Sequence, residues 1–200
     1  TLRYAILDAK AVNMAKDTIE KAIKKASGEG SEGVRYEEVR YEGYGPSGVA
    51  VIIDVLTDNV NRTAPEMRKL FEKGNGHLAK PGAVAFGFTS KGVIFVENDN
   101  STEEQLMEVA LDAGADDIEQ TDGGWEVSCE PTQFLTLRQA LESAEIEAMS
   151  AEITMVPSTT VACDVELGTK ILRMIDSFEE HDDVQNVYTN ADIPEEAMNE

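Results

Sequence analysis

Residues 92–156 read GVIFVENDNSTEEQLMEVALDAGADDIEQTDGGWEVSCEPTQFLTLRQALESAEIEAMSAEITMV. GVIFVEN (92–98) is an apolar run of strand length, and Ser101 or Thr102 caps a helix reaching about Ala113. ADDIEQT (115–121) and GWEVSCE (124–130) are two strands joined at Asp122-Gly123-Gly124, a good hairpin signal. Pro131 opens a helix through about Ala144, and EAMSAEITMV (147–156) is the last strand. The order β-α-β-β-α-β is that of the split ferredoxin-like motif.

Upstream, residues 34–42 (VRYEEVRYE) and 49–57 (VAVIIDVLT) read as strands across a Gly- and Pro-rich turn, GYGPS. Residues 63–73 read as a helix, with Thr63 as its N-cap and Pro65 in its first turn. GNGHLAKPG (74–82) is a loop and AVAFGF (83–88) a further strand. Downstream, Pro157 breaks the chain. Residues 164–180 form an amphipathic helix with Leu167, Ile171, Ile175 and Phe178 near one face, and VQNVYTN (184–190) is a short strand. The end, PEEAMNE, is expected to fray. The last helix and strand have no sheet of their own, so they return to the β-β-α-β unit before the insertion. Residues 2–12 and 16–27 are two helices. Ile19, Ala22, Ile23 and Ala26 make one apolar stripe, and GEGSEG (28–33) is a linker.

The fold class is therefore α+β: an N-terminal helical segment plus two ferredoxin-like α/β sandwich domains, one inserted in the other. Residues 1–33 are the remnant of a helical domain with its linker. Residues 34–91 with 157–200 form the discontinuous middle domain, and 92–156 the inserted one. The chain starts at Thr1 without Met and in helical pattern, so the natural protein is expected to begin earlier.

The formal net charge is −22, which opposes non-specific binding to nucleic acid or anionic membranes. Its distribution is uneven. Residues 1–80 hold 13 of the 17 Lys/Arg and 12 of the 39 Asp/Glu, while residues 81–200 hold 4 and 27. A polyanion, if bound, belongs to the first 80 residues. Arg3, Lys10, Lys16, Lys21, Lys24 and Lys25 are the first cluster of candidate contacts. Arg62, Arg68, Lys69 and Lys73 are the second, on the 63–73 helix, with Asn59 and Asn61 just ahead of it. A solvated helix face is the plain alternative for both.

No catalytic or metal site emerges. Cys129 and Cys163 form no C-x-x-C, and His77 and His181 lie outside zinc spacing. The two thiols are expected reduced. Gly43-Tyr44-Gly45-Pro46-Ser47-Gly48 matches G-x-G-x-x-G, but a strand follows where a dinucleotide site needs a helix. Paired carboxylates are too common here to inform. No cofactor, metal or small-molecule substrate is expected, and no run is apolar enough to span a membrane. Trp125, Phe86, Phe88 and Phe95 are read as core, with base stacking on an open sheet as the alternative.

Gly43, Tyr44, Gly45 and Pro46 are read as a contact turn. The glycines clear space beside Tyr44, Pro46 stiffens the loop, and one aromatic ring projects toward a partner. The alternative is that Tyr44 packs back onto its own domain and the glycines only permit the bend. If the flanking strands are antiparallel, the TDNVNR segment lies at the opposite end.

The stretch GYGPSGVAVIIDVLTDNVNRTAPEMRKLFEKGNGHL (43–78) strongly resembles the YebC family, which includes the mitochondrial translational activator of cytochrome c oxidase. AKAVNMAKDTIEKAIKKASGE, VAFGFTSKGVIFVE and DVELGTKILRMIDSFEEHDDVQNVYTNADIP agree in order. The resemblance implies three domains, the last inserted in the middle one, and a preceding segment rich in basic residues. Ser47 and Val60 depart from the family pattern, as does the GNGHLAKPG loop. The implied function is a non-enzymatic gene-expression regulator acting on nucleic acid, as a DNA-binding transcriptional regulator or a ribosome-associated translation factor. The charge leans to the ribosome, because a −22 chain binds bare duplex poorly. The implied place is cytoplasmic, or the mitochondrial matrix in a eukaryote. A protein-binding module using the acidic part is the reading from another class.

Overall fold

The computed structural model describes residues 2–11, 13–26, 35–121 and 123–198. The GEGSEG linker, Asp122 of the hairpin turn and the last two residues lie outside that range, as do the side chains of Arg3 and Lys25. In chain order the elements are α1 (Leu2–Ala11), α2 (Lys16–Ala26), β1 (Glu37–Tyr44), β2 (Ala50–Thr57), α3 (Val60–Lys73), β3 (His77–Leu78) and β4 (Phe88–Glu97). They continue with α4 (Glu103–Asp112), β5 (Ala115–Gln120), β6 (Gly124–Cys129), α5 (Phe134–Ser143), β7 (Ser150–Pro157) and β8 (Val161–Ala162). The chain closes with α6 (Val165–Glu179), β9 (Val184–Thr189), β10 (Ala191–Asp192) and α7 (Glu195–Met198). The mixture is α+β.

One sheet has the order β5-β6-β4-β7 and is antiparallel throughout. Its first and third strands are central and neighbours, the split arrangement that the β-α-β-β-α-β pattern predicts. Ile94, Val96, Trp125, Val127 and Cys129 line its inner face, against Leu106 and Ala110 of α4 and Phe134, Leu137 and Leu141 of α5. Thr102 starts α4 with a capping box, its hydroxyl and the Gln105 side chain satisfying each other's backbone N–H.

The other sheet has the order β3-β1-β2-β9. Its two central strands are a direct hairpin, registered from Glu37↔Thr57 to Tyr44↔Ala50. The connectivity therefore differs from that of the second sheet. β2 is buried on both faces, which its run of β-branched residues suits. Val51, Ile53 and Val55 face α3 and α6 through Met67, Phe71, Ile171, Met174 and Phe178. The Phe71 and Phe178 rings meet at 4.8 Å and 59°, a tilted pair worth about 1 kcal/mol beyond its buried area. The final helix and strand do return here: β9 pairs with β2, with Val51 opposite Thr189.

Four local expectations are corrected. Residues 83–87 are not a strand. Ala85–Gly87 is a short 3₁₀ turn, and β4 begins at Phe88 and runs ten residues. The loop obtains its order from Glu42, described below. The α3 helix starts at Val60, not Thr63: Asn59 is the cap, accepting from the Arg62 N–H, while Thr63 is fully buried. Pro65 thus sits past the first turn, on an exposed face where the lost hydrogen bond reaches solvent. Arg35 and Tyr36 are not strand; β1 begins at Glu37, and Val34 lies outside the described residues. The end does not simply fray: Ala197 of α7 is buried, and Gly168 of α6 leaves the space it fills.

Candidate nucleic-acid interface

The β1–β2 hairpin sets two poles. The Gly45–Val49 turn lies at one, and Thr57 with the Asn59 cap at the other. α3 starts at the second pole and ends at the first. α6 packs beside α3, and the turn after its end, residues 181–183, lies near the Arg62 pole, so the helices run oppositely.

At the Arg62 pole the guanidinium is answered three times over. Arg62 Nη2 lies 2.8 Å from Asp183 Oδ2 and 3.2 Å from Asp58 Oδ1, and its Nε lies 4.0 Å from Glu66 Oε2. Thr63 donates to the same Asp183 oxygen at 2.7 Å and shares a 2.8 Å bond with the buried Thr57 hydroxyl. Partial burial pushes the Asp183 carboxyl up. Hydrogen bonds from Thr63, Arg62 and Thr57, with the Arg62 charge, outweigh it and hold the group below its ordinary value. His181 Nδ1 accepts from the Asp183 N–H, which leaves Nε2–H to donate to Glu66 at 3.1 Å. Arg62 is thus tied into its own domain. Asn59 is spent on the cap, and Asn61 is exposed beside it.

The other pole is different. Lys73, Gly74 and Asn75 end α3, and Lys170, Arg173 and Ser177 of α6 line the same open cleft of about 270 Å³. Lys170 pairs with Glu166 at 2.6 Å. Among the described residues Lys73 and Arg173 make no ion pair. Lys69 is exposed one turn before Lys73 on the same stripe, whereas Arg68 is exposed on another side of α3. Counting charge by segment passes over Lys170 and Arg173, because they sit in the strongly acidic part of the chain. Their i, i+3 spacing was the available signal.

The GYGP turn closes the same pole, packed inward. A Cβ on Gly43 would run into the Phe71 ring and the His77 carbonyl, and one on Gly45 would lie 3.2 Å from Ile171 Cδ1. Gly48 has φ +79, which suits glycine. The Tyr44 ring does not project. It lies 5.5 Å from the His77 ring, and its hydroxyl donates to the Ala83 carbonyl at 3.0 Å. This corrects the reading of a presented ring. What the turn shows to solvent is Ser47 and Gly48, beside half-buried Pro46.

Beneath the loop that follows β3, Glu42 is 5% exposed. It accepts backbone N–H bonds from Gly82, Val84 and Ala85 at 2.6, 2.8 and 2.8 Å. Burial pushes its carboxyl up, but those three donors and the Arg40 charge hold it below its ordinary value. Val84 and Phe88 are buried on this loop, while Phe86 is 85% exposed, against the expectation of a core ring. Trp125 is core, and Phe95 is half-buried on the outer face of the second sheet.

The remaining candidates are on the N-terminal helices. Lys10, Lys16, Lys21 and Lys24 are exposed, and Lys16 lies 3.7 Å from Glu20. Arg3 and Lys25 belong to α1 and α2, and their side chains lie outside the described residues. On the second sheet, the register puts Asp117, Glu119, Glu126 and Glu152 on the face away from α4 and α5. That face repels phosphate. Burial pushes the Cys129 and Cys163 thiols up. Among the described residues no three metal-ligating side chains gather, and no helix is long and apolar enough to cross a membrane.

A family model described as TACO1/YebC second and third domain matches residues 36–191. The chain belongs to the TACO1/YebC family. It is 50% identical over 198 residues to a protein of Syntrophobacter fumaroxidans, covering 98% of this chain and 79% of that one. It is 48% identical over 199 residues to one of Rubrobacter xylanophilus, covering 100% and 80%. Both relatives carry the name "Probable transcriptional regulatory protein". The crystal structure of a conserved hypothetical protein from Aquifex aeolicus is similar at a TM-score of 0.82 and 40% identity, covering 96% of this chain and 79% of that one. Within the TACO1/YebC family, the GYGP turn, the GNGH turn and the middle of α6 form one packed pole here.

Proposed function

We propose that this chain is a non-enzymatic gene-expression factor that engages nucleic acid through the pole formed by the α3 end, the middle of α6 and the GYGP turn. The observation that carries the reading is the gathering of Lys73, Lys170 and Arg173 around Gly74 and Asn75, from two distant parts of the chain. In a chain of net charge −22, such a patch holds phosphate only where shape assists it. The ribosome, which offers structured RNA and basic protein together, suits it better than bare duplex does. The relatives' names favour a second reading, a regulator of transcription, in which DNA takes the place of ribosomal RNA as the polyanion. The division into units at 1–33, 34–91 with 157–200, and 92–156 belongs to the same proposal. Its support is that every strand pair of the second sheet lies within residues 88–157.

Sucrose-gradient sedimentation of a lysate, with and without ribonuclease, tests the reading. Migration with ribosomal fractions that ribonuclease and added salt abolish is the expected result. A protein that stays with the free pool at low salt, or moves in a ribonuclease-resistant protein complex, overturns it in favour of the acidic protein-binding module.

A further inference from the structure

We propose that Phe86 is a stacking platform for a base of single-stranded nucleic acid, an inference that rests on the nucleic-acid reading above. Phe86 is the most exposed large apolar side chain among the described residues, at 85%. Its exposure is not the slack of a loose loop. The carbonyl of Ala83 is held by Tyr44, and the N–H groups of Gly82, Val84 and Ala85 by buried Glu42. Val84 and Phe88 on either side are 3% and 8% exposed. The backbone is thus pinned on one side of the ring and buried on the other, and the ring is held out between two anchors. A Cβ on Gly87 would meet nothing within 4 Å, so the flank of the ring is open. A rigid, presented aromatic loses little freedom on binding, which favours a flat partner.

Charge selects the partner's class. From Lys73 to Val96 the chain contains no Asp or Glu, while it contains Lys73, Lys80, Lys91 and His77. The other 176 residues carry all 39 acidic groups. The acid-free run begins in the basic cleft, follows β3, carries Phe86 and ends within β4, a central strand of the second sheet. A nucleotide offers both a π-face for the ring and a phosphate for the lysines.

The test is a fluorescence titration with a labelled oligouridine, comparing wild type, Phe86→Ala, Phe86→Tyr and the pair Lys73→Glu with Arg173→Glu. Because the ring is exposed, Phe86→Ala is expected to melt with the wild type. It should bind about tenfold more weakly, with the slope of log K against log salt unchanged, since a stack and not a phosphate contact is lost. Phe86→Tyr should restore binding. If Phe86→Ala binds as wild type while the charge pair weakens binding, the stacking inference falls and the nucleic-acid reading stands. If wild type itself does not bind oligouridine at low salt, the stacking inference falls, and sedimentation with ribosomes decides the nucleic-acid reading separately. If Phe86→Ala binds oligouridine normally but no longer travels with ribosomes, the ring is a protein anchor and the inference is overturned.

Discussion

At the start of α3, Arg62 meets three carboxylates; three turns along the same stripe, Lys73 meets none. The helix is one, and positions 62, 66, 69 and 73 share a face. What differs is what α6 brings. The turn after its end delivers Asp183 and His181, and its middle delivers Lys170 and Arg173. Cations of one helix thus divide into a structural tie and an open patch, and the division is made by residues a hundred positions away.

The strongest way to break this comparison is to reverse Lys73 and Arg173 together to Glu. Association with oligouridine should fall by at least tenfold. The salt slope should flatten by about 1.4, the loss of two single-strand phosphate contacts. Thermal stability should hold, because among the described residues neither side chain makes an ion pair. Unchanged binding would empty the pole of its function.

A smaller effect, on stability, belongs to the other end. Asp183→Ala leaves the buried Thr63 hydroxyl without its carboxylate and Arg62 without its closest partner. The cost should be about 2 kcal/mol, a fall of roughly 4–8 °C in melting temperature. Its pH dependence has a definite sign. The folded carboxyl titrates below the ordinary Asp value, so its contribution is present above about pH 4 and lost as pH falls through the folded value. Stability curves of wild type and variant should therefore converge in acid. Curves that stay parallel would remove Asp183 from the account.

The smallest expected effect sharpens the contrast. Arg62→Gln should leave the salt slope of oligouridine binding where it was, since three carboxylates already surround that charge. A slope reduced as far as by the Lys73 and Arg173 reversal would mean that the two ends act alike.

These fates mark the limit of sequence reading. The second sheet was legible because its signals are local: an apolar run in β4, alternation in β6, a capping residue at 102, Gly-Gly in the hairpin. The hairpin of the first sheet was legible for the same reason. Residues 83–87 were not, because a run of small and apolar residues imitates a strand when the ordering group is a carboxylate forty positions earlier. Helix 3 was misplaced by three residues because Thr63 has the chemistry of a cap and is used instead to seal Asp183. Of the interface, local spacing marked Lys69 and Lys73, but partnership with Lys170 and Arg173 exists only after β9 has returned to β2.

That return has a topological side. β4 and β7 pair from end to end, with Phe88 opposite Pro157, and the Ser158 N–H donates to the Gly87 carbonyl at 2.8 Å. The intervening seventy residues therefore leave and rejoin the rest of the chain through a gap one hydrogen bond wide. Once they have folded, the excursion between β2 and β9 behaves as a loop of roughly half its covalent length. Halving a loop lowers its closure cost by about 0.6 kcal/mol. Closure of the second sheet thus shortens the path along the chain between the two halves of the basic pole.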